Sequence, residues 1–109
     1  MPTSTLLDCW DIRRSSDTQW ISWGEGGKAR AKVLGEADGY TVTVIEADPG
    51  YSGSSHEHTH AEFFYLIDGE IRNQGQTMRS GDGYAAAAGS IHSDFEVLSP
   101  SKYLVIWRI

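Results

Sequence analysis

Cysteine is nearly absent from this chain. Cys9 is the only one, so no disulfide can close within it. Stability must come from an apolar core, and a single domain of 109 residues buries roughly two-thirds of its unfolded surface without such staples. A lone thiol fits a reducing cytoplasm, the expected location, and Cys9 itself is expected to be inert and buried. No apolar run approaches the ~18 residues of a membrane span, and the first residues lack a basic-then-apolar leader pattern. Bases are scarce, nine against fifteen acids, giving a formal charge of −6. Nucleic acid and anionic membranes are therefore poor partners, because their phosphates must be met by Lys and Arg. No repeat is present, and the only low-complexity tract is the four alanines at 85–88.

What the chain does have is short β-patterned segments between turn signals. Residues 1–5 are polar, and Leu6 to Ile12 reads as a short strand or a turn. Trp20 to Trp23 is apolar and ends at Gly24-Glu25-Gly26-Gly27. Lys28 to Leu34 alternates charged and apolar at period two, a half-exposed strand whose lysines suit a sheet edge. After a turn at Gly35 to Gly39, Tyr40 to Ala47 is the cleanest strand, rich in β-branched residues, and Asp48-Pro49-Gly50 stops it. Phe63 to Ile67 is wholly apolar and reads as a buried strand, with Asp68-Gly69 as its hairpin turn. Further strands are expected at Glu70–Arg72, Gln76–Met78, Tyr84–Ala88, Phe95–Leu98 and Tyr103–Trp107. Glycines at 83 and 89 bound the alanine run too tightly for a stable helix. Eight or more strands at this spacing predict an all-β sandwich or barrel.

All four histidines fall in or near one proposed site: His56, His58, His60 and, beyond a second glycine-rich segment, His92. In a strand, residues i and i+2 face the same side about 6.6 Å apart, so His56 and His58 can aim at one ion. Glu62 begins the next strand, and His92 precedes the Phe95 strand. Three nitrogens and one oxygen suit one divalent transition metal ion: Fe, Mn, Ni, Cu, Co or Zn.

These residues resemble a known family. Gly50, His56, His58, Glu62 and Gly69 match the first motif of the cupin superfamily at every spacing. Gly81, Ala87-Ala88-Gly89, His92 and Glu96 resemble the second, with Ala87 where proline is usual and Glu96 where asparagine is usual. The Trp-rich lead-in and Gly24-Glu25-Gly26-Gly27 look like those of cupins akin to the zinc-binding domain of anti-sigma factors and to small-molecule dioxygenases. The resemblance implies a jelly-roll β-barrel over about residues 28–109, with residues 1–27 as an N-terminal extension. It also implies metal ligands at His56, His58, Glu62 and His92. Glu62 either binds the ion or orients a histidine from behind.

His60 reads as a pocket or surface group, since pairing it with His58 breaks the spacing. Phe64 and Tyr84 are candidate pocket residues, and Tyr65 and Tyr84 read as core. Phe64 stands where sulfonium-cleaving cupins carry tyrosine, which ranks that activity lower. The implied activity is a metal-dependent dioxygenase acting on a small dicarbonyl, enol or phenolic compound. The alternatives are a non-catalytic metal- or ligand-binding sensor and a structural barrel. Trp10, Trp20, Trp23 and Trp107 are expected in the core or at a homodimer interface, with Lys28 to Leu34 as the pairing edge.

Overall fold

The structure, a computed structural model, describes residues 4–108. It is nearly all β: the one helical feature among the described residues is a 3₁₀ turn at Ser15–Asp17. A first hairpin joins β1 (Ser4–Leu7) and β2 (Trp10–Arg13). A six-stranded antiparallel sheet contains β3 (Ile21–Ser22), β4 (Ala29–Ala37), β5 (Tyr40–Ala47), β7 (Glu62–Asp68), β10 (Gly83–Ala86) and β13 (Ser101–Arg108). Their order across the sheet is β10-β7-β13-β5-β4-β3. A three-stranded sheet, β12-β8-β9, is built from β8 (Glu70–Asn73), β9 (Gln76–Arg79) and β12 (Phe95–Val97). The short pair β6 (His56–Glu57) and β11 (Ile91–His92) makes a fourth ladder. The strands thus form separate antiparallel ladders rather than one continuous closed sheet.

Period-two alternation builds the core. β4 turns Ala29 and Ala31 inward, β5 Ile45 and Ala47, β7 Phe64 and Leu66, and β13 Tyr103 and Val105. Ile71, Met78, Phe95 and Val97 of the three-stranded sheet complete the same buried cluster, with Trp23, Tyr84 and Trp107 packed against it. Asp68-Gly69 does not close the expected hairpin but carries the chain from β7 in one sheet to β8 in another, and it turns on Gly69, whose φ of +110° favours glycine; a Cβ there would overlap Ser101 and the Pro100 carbonyl.

Several expectations need correction. Phe63 to Ile67 is not buried throughout: Phe63, Tyr65 and Ile67 are each more than two-fifths exposed. Only one face of β7 meets the core, so its odd-numbered residues point outward whatever their polarity, and Tyr65 is not a core residue. Cys9 is exposed, because Asp8 and Cys9 form the tight β1–β2 turn with φ of 48° and 74°. Trp10 and Trp20 are exposed, whereas Trp23 and Trp107 pack edge to face at 6.0 Å. β4 runs through Gly35 to Ala37 by means of a bulge between Val33 and Gly35, leaving only Asp38-Gly39 as the turn. Its outer edge is not free for pairing. β3 covers Arg30 and Ala31, Arg13 donates to the Val33 carbonyl, and Asp11 accepts from the Glu36 N–H. Lys32 is likewise tied down, to the Ser15 carbonyl at 2.8 Å and over the Trp20 ring.

Candidate metal centre

The two histidine-bearing segments are zipped together by backbone. β6 and β11 pair with His56 opposite His92. The ladder continues as the His58 N–H donates to the Ser90 carbonyl and the Gly89 N–H to the His58 carbonyl. Three imidazoles therefore converge, with ring centroids 5.0, 5.3 and 5.4 Å apart. One nitrogen from each lies within 4.8 Å of the others, close enough for small ring rotations to seat an ion at bonds of about 2.1 Å. His60 does not join them; it is exposed and lines the rim of the adjoining cavity.

Hydrogen bonds fix which nitrogen of each ring is free. His56 Nδ1 lies 2.9 Å from the Ser54 carbonyl, which can only accept, so the lone pair is on Nε2. His92 Nε2 donates to Asn73 Oδ1 at 2.6 Å, leaving Nδ1. His58 Nδ1 sits 2.9 Å from Ser90 Oγ. The Ser90 hydroxyl already donates to the Ala87 carbonyl at 2.6 Å, so it accepts from His58. The His58 lone pair therefore lies on Nε2, the sole buried side-chain polar atom without a hydrogen-bond partner among the described residues. Glu62 Oε1 faces that atom at 3.5 Å. Two electron-pair donors confront each other, and only a cation, a proton or a metal ion, satisfies both. The donor set thus fits a metal ion, and Ser54, Ser90 and Asn73 would supply the outer hydrogen bonds that metal-binding histidines need.

Glu62 is held from the other side. Its Oε2 accepts from the Tyr84 hydroxyl at 2.5 Å, and the Tyr84 ring stacks on Phe64 at 4.7 Å. Burial, reinforced by the Glu62 charge and that hydrogen bond, pushes the Tyr84 phenol well above its ordinary range, so it stays a donor. Tyr103 and Tyr51 are pushed up by burial as well. His92 is shifted the other way: burial lowers its pKa, as do the nearby His56 and His58, against the opposing pull of Glu62 and Asp94.

Beside the histidines opens a cavity of about 370 Å³. Its wall is aromatic, with Trp23, Tyr51, Phe64, Tyr84, Phe95, Tyr103 and Trp107, and His56, His58, His92 and Glu62 all line it. Phe64 and Tyr84 are among the residues that line it. Asn73, Ser90, Tyr51 and Tyr103 were not singled out from sequence. Ser90 stands two residues before His92, a position that could have drawn notice; Asn73, at the end of a hairpin strand, carries no such signal. The two departures from the second motif are absorbed locally. Ala87 supplies the carbonyl that Ser90 uses, and Glu96 pairs with Arg72 at 2.6 Å.

Known structures place this architecture. An acetylacetone dioxygenase from Acinetobacter johnsonii superposes with a TM-score of 0.76 at 15% identity, over 89% of this chain and 72% of that one. KdgF from Halomonas sp. gives 0.74 at 17%, over 87% and 88%. The anti-sigma factor ChrR, solved in complex with SigE from Rhodobacter sphaeroides, gives 0.73 at 21%; this chain spans 87% of itself and 52% of that one. At these identities the likeness establishes the fold alone. No curated protein sequence matches the chain significantly. The sequence profile of the ChrR cupin-like domain matches residues 11–107, nearly the whole length, and the chain belongs to that family.

Proposed function

We propose that this chain is a jelly-roll cupin that binds one divalent transition metal ion through His56, His58 and His92, with Glu62 Oε1 as a fourth ligand. We further propose that it acts as a dioxygenase on a small dicarbonyl, enol or phenolic compound. The observation that carries this is the buried, unpartnered Nε2 of His58 beside two further imidazoles, all lining an aromatic cavity. When bound, such an ion supplies Lewis acidity and, if redox-active, electrons for reaction with O₂. The chain supplies the rest. Ser54, Ser90 and Asn73 hold the three rings in the metal-binding tautomer. The aromatic wall excludes water and accepts a flat organic molecule of a few heavy atoms. Similarity of fold to an acetylacetone dioxygenase supports the substrate class by analogy.

The decisive test is elemental analysis of untagged protein, followed by O₂ uptake with acetylacetone and related dicarbonyls. Stoichiometric Fe, Mn, Ni or Cu with substrate-dependent uptake supports the enzyme. Tightly held zinc without uptake refutes it and supports a second reading, a metal- or ligand-binding sensor. Membership of a family named for ChrR, and fold similarity to ChrR in its complex with SigE, favour that second reading.

We also propose a homodimer. The outer face of the six-stranded sheet, not the β4 edge, offers the apolar surface. Phe63 and Ile106 pair in register, as do Tyr65 and Leu104, with Val42 and Val44 beside them on β5. Sedimentation should give a dimer at micromolar concentration, and Tyr65→Lys should shift it toward monomer; a monomeric wild type refutes the pairing.

A further inference from the structure

Tyr84 meets Glu62 on the oxygen that does not face His58. Its hydroxyl donates to Oε2, while Oε1 is left facing His58 Nε2. The phenol is fixed in place by its stack on Phe64, whose ring planes differ by only 8°. Its strand, β10, is set against β7 with Tyr84 opposite Phe64 and Ala86 opposite Glu62. A strong hydrogen bond on one oxygen draws off part of its charge and fixes the carboxylate's orientation, which favours the other oxygen as the ligand. A carboxylate without that bond can chelate through both.

We infer that Tyr84 is a positioning residue that keeps Glu62 a one-oxygen ligand, and so keeps coordination positions open toward the cavity. This rests on the metal-binding reading given above. Three histidines and one carboxylate oxygen would supply four bonds, and a six-coordinate ion held by them would have two positions left. Those two are what a bidentate organic ligand needs. If Glu62 binds through both oxygens, one of the two closes. The arrangement is built from a hydroxyl on a separate strand, so it can be removed without touching any ligand or the ring stack.

The test uses the full chain loaded with Co²⁺ and a bidentate probe, acetylacetone. Tyr84→Phe keeps the ring on Phe64 and removes only the donor. Co²⁺ should bind as tightly as in wild type or tighter, its visible absorption should change, and acetylacetone affinity should fall by about tenfold or more, the scale on which an outer-shell partner acts. Glu62→Gln should weaken Co²⁺ binding, and in that background Tyr84→Phe should have little further effect on either readout. A purely structural role for Tyr84 gives the same change in both backgrounds and overturns the inference. So does a Tyr84→Phe protein whose spectrum and acetylacetone affinity match wild type. Failure of the wild-type chain to take up Co²⁺ at all refutes the metal site first, and the inference with it.

Discussion

Replacing Ser90 with alanine should separate the scaffold from the ligands. Ser90 Oγ does two things: it accepts from His58 Nδ1 at 2.9 Å and donates to the Ala87 carbonyl at 2.6 Å. Ala87 is exposed, so water can replace the hydroxyl at its carbonyl. His58 is only 8% exposed, so its Nδ1–H cannot be rehydrated as easily. Losing the partner of one buried donor costs about 1–3 kcal/mol, and the exposed end of the relay argues for the lower half of that range. For a domain of this size each kcal/mol moves the melting temperature by roughly 4–8 °C. Ser90→Ala should therefore melt about 4–16 °C below wild type. The effect on metal should be larger. Without Ser90 the His58 proton can shift to Nε2 and occupy the lone pair aimed at the ion, and metal affinity should drop by about 10- to 100-fold. Competition against a coloured chelator measures the affinity, and long-range nitrogen–proton NMR reads the tautomer directly. Wild-type metal-free protein should show His58 protonated on Nδ1. A neutral His58 protonated on Nε2 and not on Nδ1, or an affinity unchanged in Ser90→Ala, would refute the wiring argument.

Three further outcomes are expected. Removing the metal should lower the melting temperature without abolishing the transition. Binding at a hundredfold over Kd adds about 2.7 kcal/mol, worth roughly 11–22 °C at this size; an unmoved melting curve in protein shown to have lost a stoichiometric ion would sink the coupling. His56→Ala should strip most of the metal and His60→Ala should not, by elemental analysis; the opposite pattern would show the chosen histidine pair to be wrong. In metal-free protein, His92 binds its proton less readily folded than unfolded, since its folded pKa lies below the ordinary value of 6.5. Its contribution to stability is therefore fully present above about pH 6.5 and is lost as pH falls through the folded pKa. His92→Gln should flatten the acid side of the melting profile, and an unchanged profile would count against burial of that ring.

The sequence made the strands legible wherever alternation and β-branching agreed, as in Tyr40 to Ala47 and Lys28 to Leu34. It misled where an apolar run was taken as buried. Phe63, Tyr65 and Ile67 look like core by composition, and only the sheet's one-sided packing turns them outward. The histidine cluster was legible because spacing within a strand and across two glycine-bounded segments encodes proximity. The tautomers were not, since Ser54, Ser90 and Asn73 are common residues whose role depends on an atom-level approach. The pairing of Tyr84 with Glu62 was equally hidden. Twenty-two residues separate them, and only the β7–β10 register brings phenol and carboxylate together.

The cavity's chemistry narrows what can enter it. Arg108 is the only arginine or lysine in its lining, and that guanidinium is already donating to the Asp38 carbonyl at 2.7 Å and lying over the Tyr40 ring. Glu57 and Glu62 add negative charge to the same wall. A phosphate or a polycarboxylate would find a single guanidinium, already anchored to a carbonyl and a ring, and would meet two acids on the same wall. A flat molecule carrying a single delocalised negative charge is different. Its carbon frame can rest against Phe64, Phe95 and Trp107, and the protonated phenols of Tyr51 and Tyr103 are available as neutral donors. The remaining charge would then fall to an ion held by the histidines. Affinity for such an anion is then expected to depend on the metal, because Arg108, the one arginine or lysine among the described lining residues, is held at the Asp38 carbonyl.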